Sequence, residues 1–314
     1  MREIVIGKND CDQRVDKFLS KALPTLPKSL MYKAIRNKKI KVNRKRCEIS
    51  QRLQEGDTMQ LFLAEEFFMT QIDTAFLKVP SELDIVYEDE NLLIVNKAKG
   101  LLAHRDQKVG QDNLMDRILH YLYIHKEYDP RMENSFVPAL CHRIDRNTQG
   151  LVIAAKNAAS LRAMNAHIKQ RKVRKKYVCI AQGVIDKRQE HVLLYHCKTK
   201  DNVAHILPYP KEGYKPIEIN YQIKEQKKQY ALVEVELLSG KSHQIRAMLA
   251  YLSHPLYGDV KYGAKHTAAK HYQMLCAYRI EFVWKQKDVL ANMRGRVIEL
   301  DKIDLIDTLH AFKY

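Results

Sequence analysis

The sequence predicts an α+β fold in two units. Apolar residues recur at every second position in some stretches, as in Tyr230–Leu238, and at every third and fourth in others, as in 12–22. The 314 residues suggest about two domains. Between a basic N-terminal stretch and a longer second unit, residues 66–82 carry little pattern and read as a linker. The expected division is 1–65, the linker 66–82, a main unit 83–290 and a C-terminal tail 291–314.

Residues 12–22 read as a helix with Val15, Phe18, Leu19 and Ala22 on one face. Pro24 and Pro27 mark a loop, and a second helix runs from about Ser29 to Asn37. Lys38–Asn43 alternates like a short strand, and Gln60–Leu63 closes the unit as another, after the turn Glu55-Gly56-Asp57. Seven of the eleven residues in Arg36–Arg46 are basic and none is acidic: Arg36, Lys38, Lys39, Lys41, Arg44, Lys45 and Arg46. Ile85–Lys97 reads as two strands joined by an acidic turn. Residues 111–125 look helical, and 126–137 are polar and irregular. Leu151–Ala155 is a short apolar run, read as a buried strand. Asn157 is placed to cap a helix over 158–170. Lys169–Lys176, six of eight residues basic, runs into the strand Tyr177–Ala181. Ser239-Gly240 breaks the strand Tyr230–Leu238, a helix follows over 242–252, and Met274–Val283 is a further strand. The last thirty residues include a helix-like stretch.

Hydrophobic residues make up 46% of the chain, ample for a core, and the mean hydropathy of −0.43 fits a soluble protein. No apolar run reaches membrane-span length, and Met1–Lys8 lacks the apolar core of a signal peptide. The six cysteines are dispersed, so a reducing cytoplasm is the expected setting. None of the 13 histidines belongs to a compact ligand set; His266 and His271, five apart, do not share a helix face. Metal is therefore not expected, and no glycine-rich phosphate loop supports a nucleotide cofactor. A net charge of +17 points to a polyanionic partner. Its clustering favours nucleic acid over a generically basic surface.

The chemistry concentrates in Cys141-His142-Arg143-Ile144-Asp145-Arg146-Asn147-Thr148-Gln149-Gly150. One carboxylate sits between two arginines and a histidine. The guanidinium groups favour its ionised form and offer a surface to phosphate. Alone, such a cluster reads more readily as an ion pair ordering a turn. Tyr177, at the end of the second basic run, can stack on a base, although a tyrosine at a strand start is ordinarily a packing residue.

Residues 12–65 resemble the small αL-type RNA-binding module also found in a small-subunit ribosomal protein. The match lies in Arg14–Leu19, Ile40–Asn43 and Leu53–Asp57. Further on, three segments line up in order: His142–Leu151, Arg174-Lys175-Lys176-Tyr177, and Ser239–Arg246 with Pro255 and Gly258-Asp259. Together they resemble the RluA-type pseudouridine synthases of bacteria over roughly 83–283, with weaker matches at Ile85–Gly100 and Met274–Phe282. Three spaced motifs outweigh the ion-pair reading of any one.

The resemblance implies a mixed, largely antiparallel sheet flanked by helices, with a small N-terminal α/β RNA-binding domain. It implies isomerisation of uridine to pseudouridine in structured RNA without cofactor or metal. It makes Asp145 the catalytic aspartate, Tyr177 the residue packed on the target base and the candidate for handling the C5 proton, and Arg246 the partner of Asp145. Arg143 would fill the gap left by the flipped base. RNA contacts are expected from His142, Arg143, Arg146 and Thr148, from Lys175 and Lys176, and from Arg36, Lys38, Lys39, Lys41, Arg44, Lys45 and Arg46. Gln149, Lys241, Ala98 and Cys276 depart from the family pattern, which bears on substrate choice. The fused module favours large-subunit ribosomal RNA over transfer RNA. A non-catalytic RNA-binding or ribosome-assembly factor is the rival from another class. An aspartate-nucleophile glycosidase would need a second carboxylate nearby. The residues leave the target uridine and the oligomeric state open.

Overall fold

The computed structural model describes residues 1–69, 72–106, 112–199, 203–265 and 272–311. His266, His271 and the expected helix start at residue 111 lie outside the described residues.

The N-terminal unit runs β1 (Arg2–Val5), α1 (Val15–Ala22), α2 (Lys28–Arg36), β2 (Ile40–Val42), β3 (Lys45–Arg46) and β4 (Thr58–Leu61). Its sheet is antiparallel in the order β1-β4-β2-β3. The helices bury Phe18, Leu19, Met31 and Ile35 against Ile40, Met59 and Leu61. Each buried side chain of this size contributes about 1.5–3 kcal/mol. The first helix begins at Val15 rather than residue 12. Asp12 takes a left-handed φ of 61°, which no helix continues, and its N–H donates to Leu53 O. Edge strands β1 and β3 are the elements absent from the sequence reading of this unit. Asn43 and Arg44 both have positive φ, 52° and 63°, and form the two-residue turn between β2 and β3. That turn matches strand twist and lifts Arg44, Lys45 and Arg46 into solvent.

The second unit contains β5 (Ile85–Glu88), β6 (Leu92–Lys97), α3 (Leu114–Ile124), β7 (Ala139–Leu140), β8 (Gln149–Ala155), α4 (Ala158–Lys169), β9 (Val173–Gln182), β10 (Gln189–Lys198), β11 (Ala204–Leu207), β12 (Lys215–Lys227), β13 (Tyr230–Leu237), α5 (Gln244–Tyr251), β14 (Leu275–Phe282), β15 (Val297–Glu299) and α6 (Asp304–Ala311). Its sheet is eleven-stranded, in the order β11-β10-β12-β13-β9-β14-β8-β6-β5, with β15 on β14 and β7 on β8. Every pairing is antiparallel except β8 with β14, which gives the mixed, largely antiparallel sheet. The pleat divides each central strand between two cores. Val152 and Ala154 face one, with α3 and α5; Leu151, Ile153 and Ala155 face the other, with α4 and α6. Asn157 caps α4 by accepting the Ser160 N–H at 2.9 Å, and Asn113 caps α3 the same way. Such caps stabilise a helix by about 1 kcal/mol.

Residues 66–82 are not featureless. They carry part of a 3-10 turn at Glu65–Phe68 and another at Ala75–Lys78, and Phe76 is buried edge-on to Tyr123 of α3. The C-terminal stretch is likewise built in. β15 extends the sheet, and Leu300, Leu305 and Leu309 pack into the same core as Trp284. The N-terminal unit docks through polar contacts. Buried Asp10 accepts from Asn134 Nδ2 at 2.7 Å and Ser135 Oγ at 2.6 Å. Asn9 donates to Glu133 and accepts the Ala158 N–H at the start of α4.

Candidate active site

Asp145 stands in the loop between β7 and β8, and the chain before and behind it is clamped. Lys97, at the end of β6, is buried, and its Nζ donates to the carbonyls of Ala98, Leu101 and Arg146 at 2.8–2.9 Å. Burial pulls that ammonium down to about 8, against the attraction of Asp145. Gly100 N–H donates to Arg146 O, and Arg146 Nε returns a bond to Gly100 O, both at 3.0 Å. Thr148 N–H closes a turn on Asp145 O at 3.0 Å.

Arg246 approaches from α5. Its Nη1 lies 3.3 Å from Asp145 Oδ2. Its stronger partner is Asp259, which it meets through two bonds, Nε to Oδ2 at 2.6 Å and Nη2 to Oδ1 at 2.8 Å. Asp259 is buried. A two-bond carboxylate fixes the guanidinium plane, so Asp259 aims Arg246 and Arg246 aims Asp145. The expected Arg246–Asp145 pair is present as the looser half of a triad. The sequence shows Asp259 only as the aspartate of a Gly-Asp turn, and thirteen residues of separation hide the pairing.

Tyr177 starts the buried part of β9. Its ring is almost wholly buried and its hydroxyl has no protein partner among the described residues. Burial and then the charge of Asp145 push that phenol above its ordinary range. Around these groups opens a cavity of about 1110 Å³. Arg143, Arg146, Lys169, Arg174, Lys175, Lys198 and Lys241 line it, against the carboxylates Asp106, Asp145 and Glu236. Arg143 and Arg146 are exposed at its rim. Among the described residues no His/Cys/Asp/Glu group could hold a metal ion, and no helix is long and apolar enough to cross a membrane.

Of the expected RNA contacts, Lys176 faces away from the cavity, while Thr148 and His142 line it but are held by protein partners. Lys176 is one residue from Lys175, and the pleat turns it to the opposite face. There its Nζ lies 3.7 Å from Glu234 and 3.6 Å from Glu281, away from the cavity. Thr148 is 1% exposed, and its hydroxyl accepts from Gln273, so it braces the loop. His142 lines the cavity as a neutral ring. Burial, then Lys175, takes it down to about 3, and its Nε2 accepts the Ile153 N–H at 3.3 Å. The cluster on the N-terminal unit is as expected in exposure: Arg36, Lys38, Lys39, Arg44, Lys45 and Arg46 are open to solvent, Lys41 is half-buried over the Phe62 ring, and none has a carboxylate partner among the described residues.

The family model for RNA pseudouridylate synthase matches residues 91–251, and that for the S4 domain matches residues 13–59. The chain belongs to the RNA pseudouridylate synthase family. Among its relatives, an RNA pseudouridine synthase of Mycoplasma capricolum is 34% identical over 93% of this chain and 96% of its own length. The ribosomal large subunit pseudouridine synthase C of Buchnera aphidicola subsp. Schizaphis graminum is 32% identical over 83% of this chain and 81% of its own. The protein of the same description from Vibrio cholerae is also 32% identical, over 83% and 80%. The structure of human RNA pseudouridylate synthase domain containing 4 shares the fold, with a TM-score of 0.57 at 20% identity over 72% of this chain and 91% of that one. As a pseudouridylate synthase, the chain isomerises uridine in RNA, and its S4 domain is the basic N-terminal unit.

Proposed function

We propose that this synthase acts on uridines of large-subunit ribosomal RNA in the cytoplasm, with Asp145 as its essential carboxylate. One observation carries the assignment of Asp145: it is the carboxylate held by an aimed arginine, beside Tyr177, in a basic cavity wide enough for a nucleotide. The relatives described as ribosomal large subunit synthases support the choice of RNA. The target base must leave its stack, at a cost of a few kcal/mol. Arg143 at the rim would fill the space it vacates, and the cavity's basic walls would take the flanking phosphates. Tyr177 would stack on the base, with its free hydroxyl directed to the C5 proton. Glycosidic cleavage and rejoining at carbon both call for a carboxylate at the sugar or at C6.

Asp145→Asn keeps size and hydrogen bonding and removes the charge and the nucleophilic oxygen. Tritium release from labelled transcript should fall at least ~10³-fold, about 4 kcal/mol of transition-state stabilisation, with the melting temperature and RNA affinity near parental. Arg246→Ala should act in the same direction less completely. Turnover by folded Asp145→Asn protein would sink the assignment, and loss of folding instead of chemistry would mark the cluster as an ion pair that orders its turn.

A further inference from the structure

Beside Asp145 lies a second side chain that no step above uses. His243 precedes α5 with a left-handed φ of 55°, a strained backbone for a non-glycine residue. That turn points its ring at Asp145, with Nε2 4.0 Å from Oδ2. The far nitrogen, Nδ1, sits 2.9 Å from the Tyr262 hydroxyl.

The state of the ring follows from counting protons. Tyr262 Oη already accepts the Ala204 N–H at 2.9 Å. A phenol has one O–H to donate, and His243 Nδ1 is the acceptor the structure gives it. With the Tyr262 O–H given to Nδ1, that nitrogen carries no proton, and the proton of the neutral ring is on Nε2, facing Asp145. The charged groups around it agree. Burial leads in holding the ring neutral, Arg246 and Lys261 add to it, and Asp145 and Asp259 oppose. Tyr262 also lies under Arg246, its ring centroid 5.0 Å from the guanidinium carbon. One tyrosine thus touches both groups that face Asp145 Oδ2. The other oxygen, Oδ1, has no protein partner among the described residues.

We propose that His243 is a positioning residue: locked by Tyr262 as the Nε2–H tautomer, it joins Arg246 in committing Oδ2 of Asp145 and leaves Oδ1 to meet the nucleotide. The proposal rests on Asp145 being the reacting carboxylate. At 4.0 Å the imidazole attracts Oδ2 as a dipole; such contacts shorten to hydrogen bonds in the reacting complex. A carboxylate fixed by one oxygen has lost its freedom to rotate, and the arrangement requires no change in the charge of His243 during the reaction.

Single-turnover tritium release on one transcript tests it, with RNA affinity and melting temperature measured on each variant. His243→Leu keeps the bulk and loses the donor. It should slow the chemical step roughly 10- to 100-fold, the range for outer partners that orient a reactive group, with affinity unchanged. His243→Gln places an amide N–H near the Nε2 position and should recover most of the rate. Tyr262→Phe removes the donor that fixes the tautomer, so Nε2 is bare in part of the population and the rate should fall by less than in His243→Leu. A parental rate in His243→Leu overturns the proposal. So do equal losses in the Leu and Gln variants together with a lowered melting temperature, which mark a packing role. Asp145→Asn in the same series separates the two readings. If it turns over, the assignment of Asp145 fails; if it is dead while His243→Leu is parental, the role of His243 alone fails.

Discussion

His142 stands next to the Asp145 loop without charge, because its Nε2 accepts the Ile153 N–H and protonation would break that bond as well as bury a cation. The folded ring takes its proton only near pH 3, whereas an unfolded ring titrates at its usual value of 6.5. Between these values the unfolded chain binds more protons, so stability falls as pH drops from 6.5 toward 3. The melting temperature should decline on acidification through this window, and His142→Gln should flatten the decline. Melts of both proteins across the range check it; parallel curves would mean that the ring does not titrate there. Any contact His142 makes with RNA from the cavity wall is therefore that of a neutral ring. Residue placement is legible in sequence when a motif carries it: Asp145, Tyr177 and Arg246 meet at one cavity. It is not legible when orientation decides: Lys175 and Lys176 differ only in which face of β9 they occupy. Asp259 and His243 are in the third motif in plain letters, yet their roles come from partners in distant segments.

Strand β14 joins the two halves of the sheet, with β9 on one side and β8 on the other. The β8 contact is short and parallel, Gly150 beside Ala277, and it is tight. A Cβ built on Gly150 would fall 2.2 Å from Ala277 O and 2.6 Å from its N, and the residue's φ of 126° strains any side chain. Gly150→Ala should destabilise the protein by about 3 kcal/mol, the upper range for overpacking, and reduce activity further by moving the loop that carries Asp145. Denaturant melts and tritium release on the folded fraction measure both. A parental melt would show that the strands part freely. At this scale the sequence is legible wherever one period prevails, as in the β5–β6 hairpin, α4 and β13. The alternation of Ile217, Ile219, Tyr221 and Ile223 marks β12 equally well and lies outside the motifs, so a motif-led reading passes it by. The built-in linker and C-terminal stretch are harder to see. Phe76, Leu305 and Leu309 are isolated apolar residues whose burial depends on surfaces supplied by other parts of the chain.

The whole molecule presents two basic surfaces, the cavity and the exposed Arg36–Arg46 cluster. Replacing Lys38, Arg44, Lys45 and Arg46 with glutamine should weaken RNA binding and flatten its salt dependence by roughly one unit of slope for each phosphate no longer neutralised. Titrations at several salt concentrations give both numbers, and an unchanged slope would identify the cluster as a merely solvated face.

Asp10, Asn9 and Gln13 hold the N-terminal unit to the 133–135 loop and to the start of α4 by directional hydrogen bonds. Were both basic surfaces to meet one RNA, they would be the jaws of a calliper, with buried Asp10 as its set screw. A calliper reports a length. A uridine in the right local sequence would then be accepted only if a second phosphate-rich surface of the folded RNA lay one jaw-width away. Base pairs inserted into the intervening RNA helix should then cost modification by displacing the second surface, although every nucleotide around the uridine is unchanged. Modification that tolerates any such insertion would show that the jaws move independently.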